Sequence, residues 1–288
     1  MDRLRTDKGF TLVEMVVAVG ILAVMVSFAG VVFKSGIEAN RAAAANAEIM
    51  QKLRAITEQL NADFRGLRKD VNSLPLSVGQ EDTDFGTAVQ TVASDAIAFF
   101  ADGDFQSTQL YGGAPVSGNV AAIFYGLVDP GSYPTMPAKP PKPQEKILAR
   151  RQTIFTYDTT YNAVPWNDLV TETPREFYYG SLSQLDARMK TDAAFRTGVL
   201  VNLIKRPPVT ASNLSEDDLT VFMAKGVDNF TIEYVKAGVL DFTAPNIWLR
   251  TGSQDIRPVA FKFTFTLYDS HGIIKNGRTF THIVYLDS

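Results

Sequence analysis

Cysteine is missing from all 288 residues, which removes disulfide frameworks, thiolate zinc sites and cysteine nucleophiles together. Histidine is almost missing: His271 and His282 are the only two, too few for a histidine-built metal centre. Charge is sparse as well. Charged residues make up 20%, and 28 basic against 31 acidic side chains leave a net charge of −3. Without a basic face, nucleic acid is not expected as a partner. Also lacking are the G-x-S-x-G elbow, the phosphate-binding loop and the H-E-x-x-H helix, so the common hydrolase, nucleotide and zinc-protease signatures do not apply. A 45% hydrophobic content is that of a folded chain, and the length suffices for a sizeable core or for an anchor plus a domain.

What is present is concentrated at the N-terminus. Met1 to Gly9 is a polar leader with Arg3, Arg5 and Lys8 against Asp2 and Asp7. The 24 residues from Phe10 to Phe33 follow, and their only charge is Glu14. As a helix this run spans about 36 Å, enough to cross a hydrocarbon core of about 30 Å. The basic leader would stay cytoplasmic, with the bulk of the chain exported. An ordinary secretory signal is the competing reading, since Ser27-Phe28-Ala29 offers a small-x-small cleavage site. Glu14 argues against it: a carboxylate in an apolar run is costly, and a disposable signal gains nothing from it.

Gly9-Phe10-Thr11-Leu12-Val13-Glu14-Met15 ahead of a long apolar helix closely resembles the prepilin signature of type IV pilins and type II secretion pseudopilins. The resemblance implies that a prepilin peptidase cuts after Gly9 and N-methylates Phe10. It implies no catalytic residue in this chain. Glu14 would then lie near the new terminus. It would pair less readily with its own α-amine than with that of a neighbouring subunit shifted along the stack, and would set their axial register. Inside a low-dielectric bundle such a pair is strong and an unpaired member costly.

Beyond the apolar run the helix is expected to continue. Ile49, Leu53, Ile56, Leu60, Phe64, Leu67 and Val71 recur at spacings of three and four, with Gln51, Arg54, Glu58 and Arg65 on other faces. Asn72-Ser73-Leu74-Pro75 supplies a stop. The expected organisation is a leader at 1–9, a transmembrane or filament-core helix at 10–33, an amphipathic continuation at 34–71, and a β-rich domain at 72–288. A single helix from Thr11 to about Lys69 would be about 90 Å long. Strands are expected at Ala96–Ala101, Val120–Val128, Ile147–Tyr157, Val199–Ile204, Val227–Val235, Val259–Leu267 and Thr279–Leu286. The clearest, Val259 to Leu267, alternates apolar and mostly polar residues. Asp269–Gly272 and Lys275–Arg278 read as turns. The fold class is therefore α+β, a long N-terminal helix packed on an antiparallel sheet, which is also pilin-like.

Asp63-Phe64-Arg65-Gly66-Leu67, and the run from Val227 to Tyr234 with Arg257-Pro258-Val259, resemble J-type minor pseudopilins. Residues 129–198 read as an insertion relative to that pattern. It holds Pro130, Pro134, Pro137, Pro140, Pro141 and Pro143, an extended surface segment, and a short helix between Ser181 and Phe195 capped by Ser181 or Ser183. Asp82/Asp84, Asp102/Asp104 and Glu216–Asp218 are acidic groups in loops. Some pilin relatives bind calcium in loops, but none of these has EF-hand spacing, so solvated turns and no cofactor are expected. His271 and His282 are read as structural and without obvious partners. The functional expectation is a non-enzymatic minor pseudopilin of the inner membrane, single-pass, with its domain in the periplasm. Its partners would be the peptidase, other major and minor pseudopilins through the N-terminal helix, and exported protein substrates. The alternatives are a minor type IV pilin for assembly, adhesion or DNA uptake, and a secreted β-rich enzyme or binding domain with an ordinary signal.

Overall fold

The computed structural model describes residues 11–68, 77–83, 92–111, 113–128, 142–157, 165–170, 175–207, 222–236 and 258–286. The leader at 1–9, Phe10, the stop at Asn72–Pro75, the proline cluster except Pro143, and Glu216–Asp218 lie outside these residues. The chain divides into two compact units, 1–47 and 48–288.

One helix, α1, runs from Leu12 to Arg65. Its part in the first unit carries exposed apolar side chains throughout, from Leu12 to Ile37. Its part in the second unit is amphipathic as the spacing requires: Ile49, Ile56, Leu60 and Phe64 are buried, Leu53 is half-buried, and Gln51, Arg54, Glu58 and Arg65 are exposed. The helix ends at Arg65, short of the expected Lys69 and of the continuation to residue 71. The reason is tertiary. Gly66 accepts the Asp102 N–H at 2.7 Å, Leu67 bridges to Ala101, and Arg68 donates to the Phe100 carbonyl at 2.9 Å. The chain leaves the helix to pair with a strand. A Cβ on Gly66 would lie 2.3 Å from the Asp102 carbonyl oxygen, so only glycine fits this approach.

Among the described residues, the second unit holds two sheets. The larger has the order β1 (Ser77–Thr83), β2 (Val92–Tyr111), β3 (Ala114–Leu127), β4 (Ile147–Thr156), β5 (Phe177–Tyr179), with β6 (Phe222–Lys225) also on β4. All its pairings are antiparallel except β4 with β5. The smaller is an antiparallel meander of β7 (Val227–Lys236), β8 (Pro258–Leu267) and β9 (Arg278–Tyr285). The main core lies where α1, the front face of the larger sheet (Ile97, Phe99, Ile123, Tyr125, Ile154) and the inner face of the smaller (Phe230, Ile232, Phe261, Phe263, Phe265) meet. With the long apolar helix before it, this is the expected α+β, pilin-like architecture.

The back of the larger sheet is not open to water. Ala98, Phe100, Val120, Ala122 and Phe155 form a second core with Trp166, Leu169, Tyr178, Leu185, Met189, Phe195, Val199 and Leu203. A strand covered on both faces loses its alternation, which explains why β3 is buried without a break from Val120 to Leu127. The covering layer comes from a 3-10 turn at Trp166–Val170 and two helices, α2 (Leu182–Thr191) and α3 (Ala193–Leu203). Residues 129–198 include β4, at the place of the strand expected at Ile147–Tyr157, and it pairs with three other strands. Two expectations change here. Val199–Ile204 is largely the end of α3 rather than a strand, and its buried residues Phe195, Val199, Leu200 and Leu203 follow helical spacing. Ser181 stands at the cap position of α2, yet its hydroxyl bonds to Ser183 Oγ at 2.7 Å instead of to the helix. The working cap is Asp192, which accepts the Phe195 N–H at 2.9 Å and starts α3.

Candidate functional site: the start of the long helix

Glu14 lies in the first turn of α1 and is held there by Thr11. Its Oε2 accepts the Thr11 N–H at 2.9 Å and the Thr11 hydroxyl at 3.0 Å, and the Glu14 N–H donates back to Thr11 Oγ1 at 3.3 Å. This is a reciprocal capping box, with a threonine cap and a glutamate three residues on. It satisfies backbone donors that the helix itself cannot. Downstream, Leu12 is 80% exposed, Phe28 71% and Phe33 73%. No water-soluble helix displays such a surface along its whole girth, so lipid or other apolar helices must cover it. Among the described residues, α1 is the one helix long and apolar enough to cross a membrane. Gly9 and Phe10, the expected cleavage and methylation positions, lie outside the described residues.

The other polar focus sits at the far end of the helix, within the second unit. Asp63 is 6% exposed and accepts four hydrogen bonds: from Gln59 at 3.0 Å, from the Tyr125 hydroxyl, and two from Arg150, at 2.7 and 2.8 Å. Burial pulls the Arg150 guanidinium down, but the Asp63 carboxylate outweighs it and leaves the group above its ordinary value. Burial, then the Asp63 charge, pushes the Tyr125 phenol well up, so it remains a neutral donor. A carboxylate with all its capacity spent on a fork and a phenol is a fastener, not a catalyst. The next residue, Phe64, packs on Phe99 at 4.4 Å and on Phe261 and Phe263 at 5.6 Å. The Asp63–Leu67 stretch thus clamps helix to sheets by charge, aromatic packing and the glycine exit.

Several partners were not read from the sequence. His282 meets Asn61 Oδ1 at 2.9 Å, so the expected absence of a partner is corrected, and burial pushes its imidazole below its ordinary value. His271 is exposed in the β8–β9 turn. Glu48 accepts the N–H and hydroxyl of Ser270, both at 3.0 Å. Arg150 and Arg151 were detectable in principle, as two adjacent cations inside an otherwise uncharged strand. Arg151 points the other way, donating to the Leu203 and Lys205 carbonyls at 2.7 and 3.0 Å, where α3 ends. Burial lowers its guanidinium to about 10. Among the described residues, no group of three or more histidine or acidic side chains could hold a metal ion.

Comparison with known proteins addresses the first of these regions. No curated protein and no solved structure matches the chain. Residues 4–30 match the model of the prokaryotic N-terminal methylation motif, a stretch that takes in the second part of the leader with Gly9, then Phe10, the Thr11–Glu14 box and most of the apolar run. The chain carries a prepilin-type N-terminal methylation motif, consistent with a type IV pilin-like protein or pseudopilin.

Proposed function

We propose that this chain is the precursor of a minor pseudopilin of a type II secretion system. A prepilin peptidase removes residues 1–9 and N-methylates Phe10. The helix from Phe10 to Phe33 anchors the protein in the inner membrane, with the basic leader cytoplasmic and the β-rich domain periplasmic. Mature subunits then enter, prime or cap a short filament, with other major and minor pseudopilins as helix partners, and the filament pushes folded protein substrates outward. The role is structural and uses neither an active site nor a cofactor. The observation that carries this reading is the exposed apolar surface from Leu12 to Phe33, whose only charge is Glu14 and most of which lies within the matched methylation motif. Glu14 is assigned the neighbour's α-amine at Phe10 as its partner. A minor type IV pilin is the second reading, favoured by the same motif.

The test is the mature N-terminus and one charge. Mass spectrometry of membrane-extracted protein should find a chain that begins at methylated Phe10, and a chain that begins at Gly30 would defeat the proposal. Glu14→Gln should still lose its leader but assemble poorly. Normal secretion and normal piliation in that variant would remove the pairing role. Deleting the gene and assaying secretion against piliation separates the two readings.

A further inference from the structure

Within the second unit, the large side chains of α1 pack more thinly at the start of the helix than at its end. Ile49 is fully buried, but Leu53 one turn on is only half-buried, and the next buried residues are Ile56, Leu60 and Phe64. A segment with few buried side chains opens locally at low cost. A polar contact from far along the chain reinforces this one. Glu48 accepts the Ser270 N–H and the Ser270 hydroxyl, one on each carboxylate oxygen and both at 3.0 Å. Lys52, one turn later, donates to the Tyr268 carbonyl at 2.9 Å and pairs with Glu48 at 2.8 Å. Burial pushes the Glu48 carboxyl up, but the bonds from Lys52 and Ser270 outweigh it and hold the group below its ordinary value.

The turn that reaches back to the helix, between β8 and β9, is shaped by bonds of its own. Asp269 is fully buried and accepts the Ile273 and Ile274 N–H groups at 2.8 and 2.9 Å. Gly272 turns the chain at φ +66° and donates its N–H to the Asp269 carbonyl at 3.3 Å. Ile274 packs against the main core. On the other side, Tyr268 donates its N–H to the Gly226 carbonyl at 2.8 Å, and the Gly226 N–H goes to the Lys146 carbonyl at 2.7 Å, next to β4. Gly226 has φ +81°, and a Cβ there would lie 2.8 Å from the Tyr268 oxygen, so the carbonyl that receives Lys52 is seated against bare backbone. Ser270 and Tyr268 are therefore held in place by the core and by both sheets, and little freedom remains to be lost when they grip the helix.

We propose that the β8–β9 turn is a clasp on α1: Ser270 and Tyr268 grip Glu48 and Lys52, and the grip keeps helical residues 48–55 from opening separately from the core at Ile56–Phe64. With the clasp undone, that segment leaves the sheets while the core beyond Ile56 stays folded. The clasp is thus a release point built into the domain, since a pull along α1 from its N-terminal side meets Glu48 and Lys52 ahead of the Ile56–Phe64 stripe. It does not rest on the pseudopilin reading, because every residue it uses belongs to the second unit.

The experiment is amide hydrogen exchange, read by mass spectrometry, on the full-length chain in detergent micelles. Glu48→Ala should speed exchange between residues 50 and 55 at least about fivefold, with Leu60–Phe64 and β8 within about twofold of wild type. Alanine is the better helix former, so faster exchange there cannot come from helix propensity. Lys52→Met, which keeps the apolar stem, should loosen the same segment. Adding Ser270→Ala to Glu48→Ala should raise exchange no further, since the hydroxyl has already lost its acceptor. Arg54→Ala removes only an exposed pair with Glu58 inside the helix, and should leave the segment at the wild-type rate. Wild-type exchange in Glu48→Ala overturns the inference. So does an equal rise at Leu60–Phe64 and β8, which makes the contact part of global stability, and so does an Arg54→Ala chain as fast as Glu48→Ala.

Discussion

Between Leu12 and Phe33 the large apolar side chains of α1 are exposed, whereas from Ile49 to Phe64 those on one stripe of the same helix are buried. The first stretch is apolar all round and has no preferred face; the second is apolar on one face and charged on the other. The difference shows that one backbone geometry can serve two solvents, and that the sequence period alone tells which. A run without period calls for a surrounding apolar medium, while a run with period 3.6 calls for one packed side. Stability should accordingly depend on the second stretch and be indifferent to the first.

Truncation should produce the largest effect. A chain that begins near Lys34 should be soluble and fold cooperatively, judged by circular dichroism and urea unfolding. One that begins near Asn72 should aggregate, because it loses Ile49, Ile56, Leu60 and Phe64 from the main core. At about 1.5–3 kcal/mol for each fully buried side chain, that loss rivals the whole net stability of a domain, about 5–15 kcal/mol. Cooperative folding of the shorter chain would show the helix to be a detachable arm.

Next in size is the Asp63 fastener. Asp63→Ala leaves the half-buried Arg150 guanidinium without its carboxylate and should cost about 3 kcal/mol in urea unfolding of the chain that begins near Lys34. Adding Arg150→Met should recover part of that loss, because the uncompensated charge goes with it. If the double variant is no better than the single one, the damage lies in packing around Phe64 rather than in charge.

The pH dependence should be smaller. The folded state holds His282 below its ordinary value through burial, so it prefers the neutral imidazole. The unfolded chain takes up that proton near pH 6.5, so stability is full above this value and falls as pH drops toward the depressed folded value. His282→Gln should flatten the fall of the urea midpoint below about pH 6.5. An unchanged slope in the variant would move the effect to another group.

The smallest expected change is a gain. Thr153 is 1% exposed and its hydroxyl is buried without a hydrogen-bond partner. Thr153→Val should raise stability by about 1 kcal/mol, since the shape is kept and an unsatisfied group removed. A loss instead would indicate a bound water at that hydroxyl.

How much of this could be read from residues alone follows the same division. The apolar run was legible from its unbroken length, and the amphipathic stripe and most strands because each repeats with its own period over many residues. The helix end was not: Asn72–Pro75 offered a local stop, but Gly66 ends the helix earlier through contacts with Phe100, Ala101 and Asp102. Nor was α3, where valines and leucines suggested a strand until Trp166, Leu169 and the back of the larger sheet supplied something for a helical face to cover. The partners of Asp63 stand far along the chain, on β3 and β4, and no local pattern announces them. In the N-terminal methylation motif the pattern was plain, since both members of the Thr11–Glu14 box lie within four residues.

The paired arginines of β4 carry a consequence for folding fidelity. Side chains alternate along a strand, so Arg150 shares the front face with Tyr125, and Arg151 shares the back face with Phe124. Slipping β4 by one residue sends each guanidinium to the opposite face, and only one of the two acceptor sites then meets an arginine. In one direction Gln152 takes the place of Arg151 at the end of α3; in the other Ala149 takes the place of Arg150 and leaves the buried Asp63 carboxylate without its cation. The adjacent pair therefore penalises a slip either way, and in this strand the same two charges supply both grip and proofreading.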